Sequence, residues 1–319
     1  MRKATPILVF LFVLLCGLFS PFHAQSAGVE WDALQKKAQE LIRSGKFDRA
    51  LLVAQKALQV AEQRVGPNHH SVALSLSILG HIYKYQDNYD LAEALYKRAL
   101  AIYKKAKDTD NPDVATLLSN LGLLYYTRGD YDSAEPLLKR ALAINKKAKG
   151  PNHPNVAGFL LSLGSLYQNR GDYDSAEPLL KRALAIYEKA KGPDDTFVAY
   201  SYCLDDLGRL YQTRSDYASA EPLLKRALAI NEKALGPDNP DVATCLNNLG
   251  LLYQDRGNYA SAEPLFKRAL AIREKAKGPD HPDVATCLEN LASLYRATKR
   301  IPEANALEKR AARIRAIER

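Results

Sequence analysis

A chain of 319 residues in which 47% of positions are apolar and 25% charged has too much to bury to be disordered and too much charge to be a multi-span membrane protein. The formal net charge of +9 is a modest excess for a molecule of this length, so a basic surface for nucleic acid has to be argued from position rather than from the total. A packed, soluble body is the expectation.

The N-terminus reads separately from the rest. Arg2 and Lys3 precede an apolar run from Ile7 to Phe19, and Ser20, Pro21 and mostly small residues follow as far as Ala27. That order is the pattern of a secretory signal peptide, and the apolar stretch is short for a bilayer span. Residues 1–27 are therefore expected to be a signal peptide cleaved near Ala24 to Ala27, giving an exported protein, periplasmic or extracellular, with no transmembrane span in the mature chain. The alternative is a protein anchored in the membrane by an uncleaved N-terminal segment. Cys16 raises a lipoprotein reading, but Leu15 before it is bulkier than the residue such signals usually carry.

From residue 28 onwards the chain repeats. Alignment on Leu-Gly places Gly80, Gly122, Gly164, Gly208, Gly250 and Ala292 in one column, and one further step back reaches Ala38. Seven units follow in order, at approximately 31–66, 67–108, 109–150, 151–192, 193–236, 237–278 and 279–319. Three residues after the column glycine stands a tyrosine, as at Tyr125 and Tyr167, and twelve after it an alanine in every unit, from Ala50 to Ala304.

Each unit predicts two helices, because apolar residues recur at helical spacing, first Leu118, Leu121 and Tyr125, then Ala134, Leu138, Ala141 and Leu142. Between them Arg128-Gly129-Asp130 offers a glycine able to take the positive φ that ends a helix. Between units, Gly278 closes one helix and Pro282 suits the first turn of the next. Pro136, Pro178, Pro222 and Pro264 lie just inside second helices, close enough to the first turn for the loss to be small. Trp31 with the first hairpin, and the charged segment from Glu308 to Arg319, are expected to cap the two ends of the array.

The recurring pattern Leu118-x-x-Leu-Gly-x-x-Tyr125, then Gly129, Tyr131, Ala134, Leu138 and Ala141, resembles the tetratricopeptide repeat. The unit here is longer than the usual one, with the extra residues in the second helix, and that form is similar to the repeats of kinesin light chains. The resemblance implies an all-α fold, a right-handed alpha-alpha superhelix of about seven helical hairpins, whose concave face, lined by the first helix of each pair, binds peptide segments. It covers residues 31–319 and leaves no separate catalytic domain. The N-terminal leader and the lack of an N-terminal heptad coiled coil separate this chain from true kinesin light chains.

On a helical wheel the Leu, Gly and Tyr columns face the paired helix, which defines the opposite face of each first helix. It carries Ser119, Leu123 and Tyr126; Leu161, Ser165 and Gln168; Asp205, Arg209 and Gln212; Asn247, Leu251 and Gln254; Glu289, Ser293 and Arg296, with Asn120, Asn248 and Asn290 alongside. Amides, hydroxyls and a few charges suit hydrogen bonding to an extended peptide. The candidate contacts are Asn120, Tyr126, Gln168, Arg209, Gln212, Asn247, Asn248, Gln254, Asn290 and Arg296. The competing reading is an ordinary solvated face.

The pairs Lys139-Arg140, Lys181-Arg182, Lys225-Arg226 and Lys267-Arg268 invite a nucleic-acid stripe, yet Glu135, Glu177, Glu221 and Glu263 each stand four residues before the lysine, in the favourable order for helical ion pairs. Cys203, Cys245 and Cys287 occupy equivalent positions on successive first helices, too far apart for a disulfide, so free thiols are expected. No phosphate loop, zinc helix or nucleophile elbow is present, and His69, His70, His153 and His281 read as solvated loop residues. The sequence thus points to a protein-binding scaffold rather than an enzyme, with no cofactor or metal and a protein or peptide as partner. The alternative function is a structural subunit of a cell-envelope or secretion assembly with no peptide groove in use.

Overall fold

A computed structural model describes residues 21–190 and 198–317 of the chain. The apolar run of the expected leader lies outside the described residues. Fourteen α-helices and no strands occur among those described: α1 (Pro21–Arg43), α2 (Phe47–Val65), α3 (His70–Tyr85), α4 (Tyr89–Lys105), α5 (Pro112–Thr127), α6 (Tyr131–Lys149), α7 (Pro154–Asn169), α8 (Tyr173–Ala190), α9 (Val198–Thr213), α10 (Tyr217–Leu235), α11 (Pro240–Asp255), α12 (Tyr259–Lys277), α13 (Pro282–Ala297) and α14 (Ile301–Ile317). They pair in order into seven hairpins. Two compact units result, one ending at Thr109 and the other beginning at Asp110.

Local chemistry sets the helix ends. Gly129, Gly171 and Gly257 turn the hairpins at positive φ, and where the column lacks glycine Asp87, Ser215 and Lys299 take the same left-handed conformation. Each first helix in the second unit whose start is described with its cap, α5, α7, α11 and α13, has proline in its first turn. Asn111, His153, Asn239 and His281 precede those prolines and accept a backbone N–H two residues on. His69 does the same for α3. Three of the histidines expected to be merely solvated are therefore N-caps, a role a carboxamide fills at the same column elsewhere.

The column alanines Ala50, Ala92, Ala134, Ala176, Ala220, Ala262 and Ala304 are all fully buried. In the first unit, Trp31 Nε1 and Gln35 Nε2 both donate to Ser75 Oγ, at 2.9 and 2.6 Å, tying α1 to α3. In the second unit one core cluster joins α6 through to α11, through Leu138, Leu160, Leu163, Cys203, Leu204 and Cys245. There, the backbones of successive first helices α5, α7, α9, α11 and α13 approach within 8 Å of one another, whereas those of successive second helices do not and are bridged by long side chains. Crowding on one side and spacing on the other bends the row of hairpins toward its first helices, and that side is where the candidate surface lies.

A polar wall on the first helices of the second unit

The outward positions of these first helices do not stand alone; they are bonded to one another across hairpins. Asn248 Nδ2 donates to Asp205 Oδ2 at 2.7 Å, and one hairpin further Asn290 Nδ2 donates to Asn247 Oδ1 at 2.9 Å. Gln212 Nε2 donates to Asp255 Oδ2 at 2.7 Å and Gln254 Nε2 to Ser293 Oγ at 3.1 Å. Asn169 donates to the Tyr126 hydroxyl, and Ser165 to Asp206. The wall is a ladder whose rungs join each first helix to the next.

Several residues expected at the surface of this wall are inside it. Gln168 is 6% exposed and Asn248 9%, so both lie between helices rather than on display. Arg296 turns away to α14, where its guanidinium meets Glu308 at 2.6 Å and Asn305 at 3.0 Å. Asn120, Tyr126, Arg209, Gln212, Asn247, Gln254 and Asn290 are partly exposed. Sequence reasoning missed Asp206, Asn169 and Asp255, the partners of Ser165, Tyr126 and Gln212. A wheel drawn for one helix at a time carries no signal for contacts that depend on the register between two helices.

Electrostatically the wall is uneven. Burial pushes the Asp205 carboxyl up to about 7, against the pull of the Asn248 hydrogen bond, and burial also raises Asp206. Arg209 stands 3.6 Å from Asp206. The Tyr126 phenol is raised above its ordinary value by burial, and next by the Asp206 charge.

Behind the wall, the lysine of each lysine-arginine pair is engaged by a glutamate. Glu135 accepts from Lys139 at 2.6 Å, and from Tyr167 at 2.8 Å and Arg170 at 2.7 Å in the next hairpin. The same four-residue clamp recurs at Glu177, Glu221 and Glu263. Arg226, Arg268 and Arg310 each pair with a glutamate of the preceding second helix. A stripe so interleaved with acids offers polynucleotide little net charge.

Cys203, Cys245 and Cys287 are free and buried. Asn231 Nδ2 lies 3.1 Å from Cys245 Sγ while its Oδ1 accepts from Ser201, which makes this thiol part of the packing. Among the described residues no three His, Cys, Asp or Glu side chains are grouped to hold a metal ion, and no helix is long and apolar enough to cross a membrane.

The comparisons with known proteins agree with this geometry. The model of the tetratricopeptide repeat matches residues 33–105, 113–189, 155–233, 195–275 and 246–316. The nearly identical TPR-like repeats of a Podosopora anserina kinesin light chain are 26% identical over 66% of this chain and 98% of that one, with a TM-score of 0.53. BtubC (BKLC) from P. vanneervenii is 25% identical over 73% of this chain and 90% of its own, with a TM-score of 0.56. The apo form of RapI, at 17% identity, shares the fold over 90% of this chain and 98% of its own, with a TM-score of 0.67. No curated protein matches the chain.

Proposed function

The chain belongs to the tetratricopeptide repeat family, whose solenoids typically serve as scaffolds for protein–protein interaction, and from that premise we propose that its second unit binds an extended segment of a partner protein along the wall formed by α5, α7, α9, α11 and α13. The observation that carries this reading is a contrast between columns. The alanine column packed against the paired helix keeps one residue type through all seven hairpins and is fully buried. Positions on the wall change from Leu123 to Ser165, Arg209, Leu251 and Ser293 within a single, at least partly exposed column. Packing alone asks for repetition; a surface that reads an irregular partner asks for variation. A row of carboxamides and hydroxyls at half exposure can trade its side chain–side chain bonds for bonds to a peptide backbone at little net cost.

We also propose that the protein acts outside the cytoplasm, exported by a signal peptide over residues 1–27, on the strength of Arg2 and Lys3 preceding the apolar run from Ile7 to Phe19. N-terminal sequencing of the mature protein tests that, with a first residue between Gln25 and Gly28 expected and an intact Met1 contradicting it.

For the wall itself, Gln212→Ala, Asn247→Ala and Gln254→Ala are combined, and capture of peptides from a displayed random library is compared with the parent. Each truncation removes one rung and leaves the packing columns intact. The expected result is a variant with parental helicity and capture reduced at least tenfold. Undiminished capture by the folded variant would remove the wall from the function.

A further inference from the structure

Four buried side-chain oxygens among the described residues have no hydrogen-bond partner within the protein: Asn145 Oδ1, Gln168 Oε1, Asp205 Oδ1 and Gln254 Oε1. All are acceptors once Asp205 is ionised, and three of them, Gln168, Asp205 and Gln254, sit on consecutive first helices α7, α9 and α11. A carboxamide can turn over and exchange its oxygen for its nitrogen. Asp205 cannot. Its second oxygen is already committed to Asn248, and the residue is only 7% exposed, so the free oxygen is an acceptor held out of water at a cost that a donor would relieve.

The charge of this stretch points the same way. The fifth hairpin alone carries two adjacent acids on the wall, Asp205 and Asp206, where the others have Ser119 and Asn120, Leu161 and Ser162, Asn247 and Asn248, or Glu289 and Asn290. Asp255 adds a third acid on the neighbouring helix, and Arg209 is the one base on α9 and α11 that faces them. Further along, Glu289 is met by Arg315 and Arg296 by Glu308. In a chain whose total charge is +9, the middle of this wall is locally acidic. Replacing two carboxylates here by the amides found in the next hairpin would remove a desolvation cost without loss of the ladder. Their presence asks for a compensating cation.

We infer that a basic side chain of the bound segment, arginine or lysine, docks against Asp205 and Asp206, donating to the free Asp205 oxygen. This rests on the peptide-binding reading above and narrows it to partners whose binding segment is basic. A guanidinium or ammonium carries only donors, which suits a region whose unmet groups are all acceptors. Gln254, partly exposed on the flanking helix α11, receives a further N–H from the same extended segment.

The test uses the full chain. Random dodecapeptides displayed on phage are selected on it, and the enriched sequences are synthesised with a fluorescein label for anisotropy. Enrichment of arginine or lysine is expected, with affinity falling at least tenfold when the arginine is replaced by citrulline or the lysine by norleucine. The same loss is expected on Asp205→Asn with Asp206→Asn, a pair that keeps the acceptor for Asn248 and melts no lower than the parent. Enriched peptides that are neutral or acidic, or basic ones that bind the double variant equally well, would overturn the inference while leaving peptide binding standing. Spermidine binding that the double variant abolishes, with no peptide enriched, would assign the acids to a small amine instead. No enrichment and no amine binding would overturn both readings.

Discussion

Gly250 lies so close to the ring of Phe266 that a Cβ built on it would stand 2.7 Å from Cε1, inside any contact real side chains make. The same relationship recurs between Gly164 and Leu180 and between Gly208 and Leu224. It is a rule of the hairpin. The residue sixteen places after the column glycine fills the space that the absent side chain leaves, and the two helices approach accordingly. Where the column holds alanine instead, the facing position changes too: Ala38 is matched by Ala54, both buried, and Ala292 by Glu308.

This covariation makes a quantitative prediction. Gly250→Ala should destabilise the protein by about 1–3 kcal/mol, the usual cost of overpacking a filled core. In a Phe266→Ala background the same substitution should cost almost nothing, because the new methyl enters the space the ring vacated. A double-mutant cycle by urea denaturation reads the difference directly as a coupling energy. Equal costs in the two backgrounds would show that the ring gives way and the close approach is not a constraint.

The glutamate clamps predict an acid-sensitive joint between hairpins. Hydrogen bonds from Lys267, then Arg300 and Tyr295, hold the Glu263 carboxyl down to about 2. A folded-state value below the ordinary one means that the contribution is fully present above about pH 4.5 and disappears as pH falls toward 2. Glu263→Gln should therefore cost about 1 kcal/mol at pH 7, in the range of one charge-assisted bond near the surface, and close to nothing at pH 2. Urea midpoints for the variant and its parent at the two pH values check this; a constant gap would mean the clamp is held by packing alone.

The three thiols should be chemically silent in the folded protein. Burial raises all of them, Cys245 to about 12 and Cys287 to about 11, with Cys203 pushed in the same direction. The thiolate is the reactive form, so burial and proton retention act together. Iodoacetamide at pH 8 should leave Cys203, Cys245 and Cys287 unmodified after an hour in buffer and alkylate all three within minutes in guanidinium, without reductant. Peptide mass mapping distinguishes them. Rapid labelling of any one in the folded state would mean that its hairpin opens locally.

How far the sequence reached is clear from these residues. The hairpins, their glycine turns and the burial of the alanine and glycine columns follow from spacing within one repeat, because a helix wheel is a local object, whereas the capping role of His69, His153 and His281 was not read from it. The free thiols follow from the same argument, since equivalence of position already separates Cys203, Cys245 and Cys287. The clamp was half visible: Glu135 with Lys139 is a four-residue spacing, whereas Tyr167 and Arg170 reach the same carboxylate only through the stacking of the next hairpin. The wall was visible as a list of faces and not as a ladder. Whether Gln168 is displayed or enclosed depends on the offset between α7 and α9, which side-chain volume in the shared core decides and which no single-helix pattern encodes.

Asp205 gives that enclosed region a measurable pH signature. Its neighbours are Asp206 and Arg209 on α9 and Asn248 and Cys245 on α11. Burial lifts the carboxyl to about 7, and only the Asn248 bond and Arg209 oppose it. Because the folded-state value lies above the ordinary 3.8, the folded protein carries no penalty at low pH. It must bury a charge as pH rises through 7, so stability from this residue falls between about pH 4 and pH 8. Asp205→Asn removes the titration while keeping an oxygen for Asn248. The variant should match its parent within about 1 kcal/mol at pH 4 and exceed it at pH 8 by up to about 4 kcal/mol, the value that corresponds to so large a displacement. Melting curves at the two pH values decide the matter. A variant less stable than the parent at pH 8 would mean that the charged carboxylate is already compensated inside the wall, and that no cation from a partner is needed to hold it there.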